Sequence, residues 1–174
     1  MWRRAARARG PCRSGRLAVG AGRRRVHAWW VLIDEGLELL DETEALRLLA
    51  LEEVGRVGVT MGALPAIFPV NYRLIDGCVV FRSAPGSKLS AAVNRTVVAF
   101  EVDDYNAADR SGWSVLVVGP SEVVHDLDVT FKSLEAGLRP YVDGPRGLLV
   151  RITPTFVSGR RIVHVPAGAM PRGD

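Results

Sequence analysis

Residues 66–88 read AIFPVNYRLIDGCVVFRSAPGSK. Asp76-Gly77 is a strong two-residue hairpin signal, because both residues tolerate the positive φ that a tight turn demands. It joins two runs rich in β-branched and aromatic residues, which predicts one strand over Ala66–Ile75 and a returning strand over Cys78–Ser83. Pro69 interrupts the first run, and Pro65 precedes it. A proline cannot donate to a ladder, so this strand is expected at an edge or at a bulge. The turn cluster Ala84-Pro85-Gly86 then leads through Ser87-Lys88 into a short helical stretch over Leu89–Val93.

The same alternation extends outward on both sides. Asp41-Glu42-Thr43-Glu44 carries a capping-box pattern ahead of an apolar stripe at Leu46, Leu49 and Ala50, which predicts a helix over 42–53. Val54–Met61 reads as a strand in which Gly55 and Gly58 signal a close approach. Downstream, Thr96–Val102 and Trp113–Val118 are apolar strands on either side of a polar loop, Asp103–Gly112. Ser121–Val124 continues the second of them past a kink at Gly119-Pro120. A helix over Asp126–Gly137 puts Leu127, Phe131, Leu134 and Leu138 on one side. Leu148–Ile152 and Arg160–Val165 close the pattern as strands. Six or so short strands, hairpin signals and few short helices predict a mainly β chain folded as a six-stranded antiparallel barrel. Apolar runs such as 96–102 and 113–118 call for cover on both faces, for which a second subunit is the expected source.

Composition limits what such a chain can do. It has 174 residues, enough for one domain, with 48% hydrophobic and 24% charged residues. No apolar run is long enough to span a bilayer as a helix, so no transmembrane helix and no membrane partner are expected. The formal net charge of +4 belongs to the first thirty residues, which hold nine arginines and no acid. The rest carries 14 basic and 19 acidic residues, a net of −5. A nucleic-acid-binding domain carries its basic surface on the fold itself, so no nucleic-acid partner is expected. Residues 1–35 read as a disordered basic arm, 36–166 as the folded domain and 167–174 as a frayed tail. The arm lacks the apolar core of a secretory signal, and a cytoplasmic location is expected. Its Arg-rich, acid-free composition also resembles a mitochondrial presequence, and a native start near Val31 would remove it. Cys12 and Cys78 supply no disulfide framework, and His27, His125 and His164 are not spaced as metal ligands, so no metal site is expected.

No side-chain pair reads as a nucleophile and its base, so no catalytic residue is assigned, and any chemistry requires an imported cofactor. Two segments suit one. Ser87 and Lys88, with Arg82 at the preceding strand end, combine hydroxyl and cationic groups that a phosphate needs; the alternative is a capped surface turn with a solvated lysine. The proline-interrupted strand at Pro69, Val70 and Asn71 offers backbone groups to a planar heteroaromatic ring, or is simply a bulged edge. Trp113 suits core packing, or the wall of a cofactor site formed across a dimer. Asp103 and Asp104 read as solvated turn formers.

Taken together, the ordered motifs resemble the pyridoxamine 5'-phosphate oxidase-like, FMN-binding split-barrel superfamily, and within it the flavin-nucleotide-binding and nitroimidazole-resistance-like proteins. The resemblance rests on Pro69-Val70-Asn71-Tyr72, Gly77, Val80-Phe81 and Gly86-Ser87-Lys88. It continues through Val97–Asp103, Trp113-Ser114-Val115, Gly119 and Ser158–Arg161. It implies a split β-barrel homodimer with flavin sites at the interface, a small-molecule substrate and oxidoreductase chemistry with FMN. By position, the phosphate falls to Ser83, Ser87 and Lys88, the flavin ring to Pro69, Val70 and Asn71, and Trp113 lies where the partner approaches. Nitroimidazole-resistance proteins carry a histidine where this chain has Arg82, so that chemistry does not transfer. The Arg and His set that clamps substrate in true pyridoxamine phosphate oxidases is missing, which argues against vitamin B6 oxidation. The resemblance leaves two alternatives to FMN redox chemistry: a deazaflavin-dependent reductase, against which the acidic body counts, and a non-catalytic module binding flavin or haem.

Overall fold

The computed structural model describes residues 37–138 and 147–162. Eight strands and three helices follow in the order β1 (Leu37–Leu40), α1 (Glu42–Leu49), β2 (Val54–Met61), β3 (Leu64–Ile75), β4 (Cys78–Ser83), α2 (Lys88–Ala92), β5 (Thr96–Asn106), β6 (Ser111–Val124), α3 (Leu127–Glu135), β7 (Leu148–Ile152) and β8 (Phe156–Ile162). Every strand pairing is antiparallel. The order β6-β5-β2-β3-β4-β7 returns to β6, which closes the expected six-stranded barrel. Beyond it, β8 pairs with β6 and β1 with β8. The two flanking strands were not both foreseen: β1 is short and carries no turn signal.

Alternation along the strands fills the barrel. Val57, Val59, Val70, Tyr72, Val79, Phe81, Val98, Phe100, Val102, Val115, Val117, Val150 and Ile152 form one buried cluster. Phe100 meets the Tyr72 ring edge-on at 4.8 Å between centroids. Gly55 makes room for Phe100, since a Cβ there would stand 2.3 Å from the ring. The helix α1 plugs one end with Ala45, Leu48 and Leu49, and the Tyr72 hydroxyl donates to Leu49 O at 2.5 Å. At the other end α2 is tied down by Ser121, whose hydroxyl donates to Val93 O at 2.6 Å.

Several boundaries differ from expectation, each for a local reason. The first helix stops at Leu49 rather than running to residue 53, because the chain must turn into β2. The loop expected at 103–112 is mostly strand. The β5–β6 ladder runs unbroken to Asn106↔Ser111, and the Asn106 and Asp109 side chains bond the turn N–H groups of Ala108 and Ser111. Asp103 therefore sits within a strand, paired with Arg56. β6 runs as one strand through Gly119-Pro120, so Ser121–Val124 does continue it. There β6 changes partner, from Val118↔Phe156 on β8 to Ser121↔Ile152 on β7. The last strand begins at Phe156, earlier than expected, and its predicted end at Val165 lies outside the described residues, as do the basic arm, His27, His164 and the C-terminal tail. The helix α3 buries Val129 and Ser133 and turns Leu127, Phe131 and Leu134 outward. No helix among the described residues is long and apolar enough to cross a membrane.

Candidate functional site

The barrel opens between β3 and β4. Their ladder runs from the Asp76-Gly77 turn only as far as Tyr72↔Phe81. Beyond that pair β4 turns to β7, with Ser83 opposite Leu148, while β3 continues alongside β2 alone to Leu64. Residues Leu64–Val70 thus have a strand partner on one edge only. Tyr72 N donates to Glu53 O, at 2.9 Å, on the β2 side. In an antiparallel ladder the residues whose N–H and C=O groups face a given neighbour alternate. The backbones of Pro65, Ile67 and Pro69 consequently face the open edge. This explains how two prolines fit: their missing donors fall where no ladder bond would form. The Ile67 N–H and C=O and the Pro69 C=O remain directed into the split.

Side chains along this lip differ by face. Val70 points into the barrel and is buried, whereas Pro69 is exposed and Asn71 half-buried on the outer face. Ile67, two residues before Pro69, is 70% exposed.

The opposite lip carries the hydroxyls. Ser83 ends β4 on the barrel side, 6% exposed, and its Oγ lies 3.1 Å from Ser87 Oγ. Ser87 is the N-cap of α2: its hydroxyl accepts from Ser90 N at 3.0 Å, and Ser90 Oγ donates back to Ser87 O at 2.8 Å. Gly86 has φ 71, and open space surrounds the position a Cβ would take. Lys88 follows, exposed, with no ion pair to any described residue. Two hydroxyls held in register, a backbone accessible at a glycine and an uncompensated ammonium suit a phosphate monoester.

Two of the predicted residues are placed apart from this group. Arg82 lies on the other face of β4 from Ser83, and its Nε donates to Leu138 O at 3.0 Å, beside the α3 cluster of Ile75, Val80, Val129 and Leu149. Trp113 is half-buried against the core at the α1 end, opposite Asp104 and Arg161 in register. The strand from Trp113 to Ser121 spans about 26 Å, and Ser121 is the residue that anchors α2. One chain therefore does not bring Trp113 to Ser87 and Lys88.

Sequence reasoning passed over the charged cluster on the outer face of β2 and β5. Arg56 pairs with Glu101 at 3.2 Å and with Asp103. Burial first, and then the neighbouring Asp103 carboxylate, push the Glu101 carboxyl up from its ordinary range. The signal was the two-residue spacing of Glu101 and Asp103, which places both on one face of a strand.

Comparison with known proteins agrees with this architecture. The family model described as pyridoxamine 5'-phosphate oxidase matches residues 41–161. The chain belongs to that family. Its barrel is that family's split barrel. A Mycobacterium tuberculosis protein without an assigned function is 42% identical over 129 residues, which cover 71% of this chain and 84% of that one. Among solved structures, the FAD binding protein from Mycobacterium smegmatis is 34% identical with a TM-score of 0.67, covering 74% of this chain and 100% of that one. A Corynebacterium diphtheriae protein of unknown function is also 34% identical, with a TM-score of 0.63 and coverage of 74% and 100%.

Proposed function

We propose that this chain binds a flavin in the split between β3 and β4 and acts as a flavin-dependent oxidoreductase. The observation that carries the reading is the pairing of an open, proline-edged β3 with the Ser83–Ser87 hydroxyl pair across the gap. A flavin needs both features at once. Its ring edge carries alternating donors and acceptors that the Ile67 and Pro69 backbone groups can meet, and its phosphate needs hydroxyls and a cation. Ser83, Ser87 and Lys88 hold the phosphate; the Ile67 and Pro69 backbone and the Asn71 side chain orient the ring, while Val70, expected to share that role, packs inside the barrel behind them. When bound, the flavin supplies the two-electron acceptor. The protein fixes its orientation and excludes water from one face. No described residue is assigned a proton-transfer role.

FMN satisfies these contacts. FAD is the second reading, favoured by the 34% identical mycobacterial relative named for FAD binding. Arg82 reaches the phosphate only by leaving Leu138 O, so it contributes to the wall rather than to the anchor.

The working unit in this reading is a homodimer. In register, Ile67, Gly58, Ala99, Val118 and Phe156 form one row across the outer face of the sheet. Ile67 and Phe156 are 70% and 50% exposed, and Val97 beside them is 69% exposed. A second copy packed on this face buries the row and brings its own Trp113 toward the cofactor.

The test is the visible spectrum of purified protein, with and without added FMN or FAD, followed by anaerobic bleaching with nicotinamide donors. A bound flavin reduced by a donor supports the oxidoreductase. A bound flavin reduced by none supports a non-catalytic binding module. Binding of neither flavin overturns the reading, and titration with deazaflavin or haem then separates the alternatives.

A further inference from the structure

Cys78 opens β4 directly after the Asp76-Gly77 turn, at the end of the β3–β4 ladder farthest from the split. It stands opposite Ile75, so its side chain shares the outer face of the hairpin with Ile75 and Val80, the residues on which α3 packs. Cys78 is fully buried, and its sulfur lies 4.0 Å from the Oγ1 of half-buried Thr153. That sulfur belongs to a disulfide bond, and there is no free cysteine among the described residues. The sequence contains one other cysteine, Cys12, in the arginine-rich arm.

The chemistry around the two cysteines suits such a bond. Arg9, Arg13 and Arg16 flank Cys12, and no carboxylate occurs in residues 1–30. Neighbouring cations favour the thiolate, which is the attacking form of a cysteine. On the receiving side, Asp76 and Asp128 share the Lys132 ammonium at 2.8 and 3.1 Å, so two carboxylates meet one cation beside the hairpin turn. The excess negative charge is complementary to the arm. Reach sets no obstacle, since Cys12 lies 25 residues before Leu37, where β1 begins. Extended, that length covers about 80 Å, against roughly 30 Å for the diameter of a small domain.

We infer that Cys12 and Cys78 form a thiol–disulfide switch that fastens the basic arm to the closed end of the β3–β4 hairpin, beside α3. The oxidant is a low-molecular-weight disulfide. The Cys12 thiolate attacks one of its sulfurs and releases one small thiol. The Cys78 thiolate then attacks Cys12 Sγ in the mixed disulfide and releases the second. Two protein thiols thereby lose two electrons and two protons, and the small disulfide gains them as two thiols. Excess small thiol runs the exchange backwards and frees the arm. The loop closed between residues 12 and 78 is long, so the cross-link removes much freedom from the unfolded chain. The switch does not rest on the flavin reading: Ser83 lies five residues along β4 from Cys78, about 17 Å away.

The experiment uses the full chain, as wild type and Cys12→Ser, incubated with oxidised or with reduced glutathione. After oxidation and alkylation of free thiols, tryptic digestion without reductant is expected to yield residues 10–13 joined to residues 74–82. The joined peptide should be lost on reduction and in Cys12→Ser. The intact oxidised monomer should be lighter than the reduced form by two hydrogens. Reduction should lower the melting temperature of the oxidised wild type and leave that of Cys12→Ser unchanged, which separates the cross-link from the packing of Cys78 in the hairpin. Two alkylated cysteines in the oxidised wild type overturn the inference, as do two cysteines each capped by glutathione or a disulfide joining two chains. A joined peptide that persists in excess reduced glutathione overturns the switch, and so does an equal effect of reduction on the melting of both proteins.

Discussion

Ser83 Oγ and Ser87 Oγ lie 3.1 Å apart, one at the end of a barrel strand and the other capping the helix that follows. The turn between them is tied by Ser87 N donating to Ala84 O at 3.2 Å. Strand end, turn and helix start are therefore one hydrogen-bonded unit beside the split.

Replacing Ser87 with alanine removes both the cap on Ser90 N and the partner of Ser83. The loss of an N-cap costs about 1 kcal/mol. We expect a melting temperature lower by about 2–4 °C, the scale for a chain of this size, together with weaker binding of phosphorylated flavins. Lys88→Ala is expected to weaken the same ligands with no change in melting. Calorimetry of the two variants with and without FMN checks this, and equal thermal effects would contradict the division of roles.

At the other end of the barrel, Tyr72 is expected to act through its hydroxyl. Burial pushes its phenol well above the ordinary range, so it stays a neutral donor to Leu49 O at any working pH. Tyr72→Phe keeps the ring against Phe100 and loses only this bond. The expected cost is about 1 kcal/mol, read from urea unfolding, with flavin affinity unchanged because Tyr72 faces the core.

Gly119 is where β6 passes from β8 to β7, and a Cβ there would stand 2.0 Å from Thr153 O. Backbone, not a movable side chain, occupies that space. Gly119→Ala is expected to destabilise by about 3 kcal/mol, the upper end of the range for overpacking, since the β6–β7 closure must shift. Recovery of soluble, cooperatively unfolding protein at the wild-type midpoint would refute this.

A pH dependence follows from Glu44. Bonds first from Arg47 and then from Arg161 hold its carboxyl down from 4.5 to about 2. A carboxyl lowered in the folded state adds stability at pH values above 4.5, and that contribution fades as pH falls toward about 2. Glu44→Gln should therefore melt below wild type at neutral pH, with the difference shrinking through this acid window. The difference will be modest, because the group is exposed to solvent.

The proposed dimer is tested on the outer face. Phe156→Asp places a charge on the row shared with Val118, Ala99 and Ile67, on a strand remote from the proposed flavin edge of β3. Size-exclusion with light scattering should show a monomer at concentrations where wild type is a dimer, and flavin affinity should drop with it. A wild-type monomer that still binds flavin would remove Trp113 from the site.

Much of this was present in the one-dimensional pattern because it depends on near neighbours. The Asp76-Gly77 hairpin, the Asp41 and Ser87 caps and the alternation that fills the barrel are all set by residues a few positions apart. So was the Gly86-Ser87-Lys88 segment, whose chemistry is carried by adjacent groups. Positions set by distant partners were not legible. β1 exists only because β8 offers it an edge. Residues 103–106 are strand because residues 111–114 pair with them, and Leu127, Phe131 and Leu134 face outward because α3 settles on Val80 and Leu149 through Val129. The separation of Arg82 from Ser83 follows from strand alternation once β4 is in the sheet, yet its bond to Leu138 O needs the return of α3. Local sequence determined turns, caps and which residues were apolar. Tertiary structure decided which strands met, where their ladder parted, and which cations were left without a partner, because these depend on contacts between residues far apart in the chain.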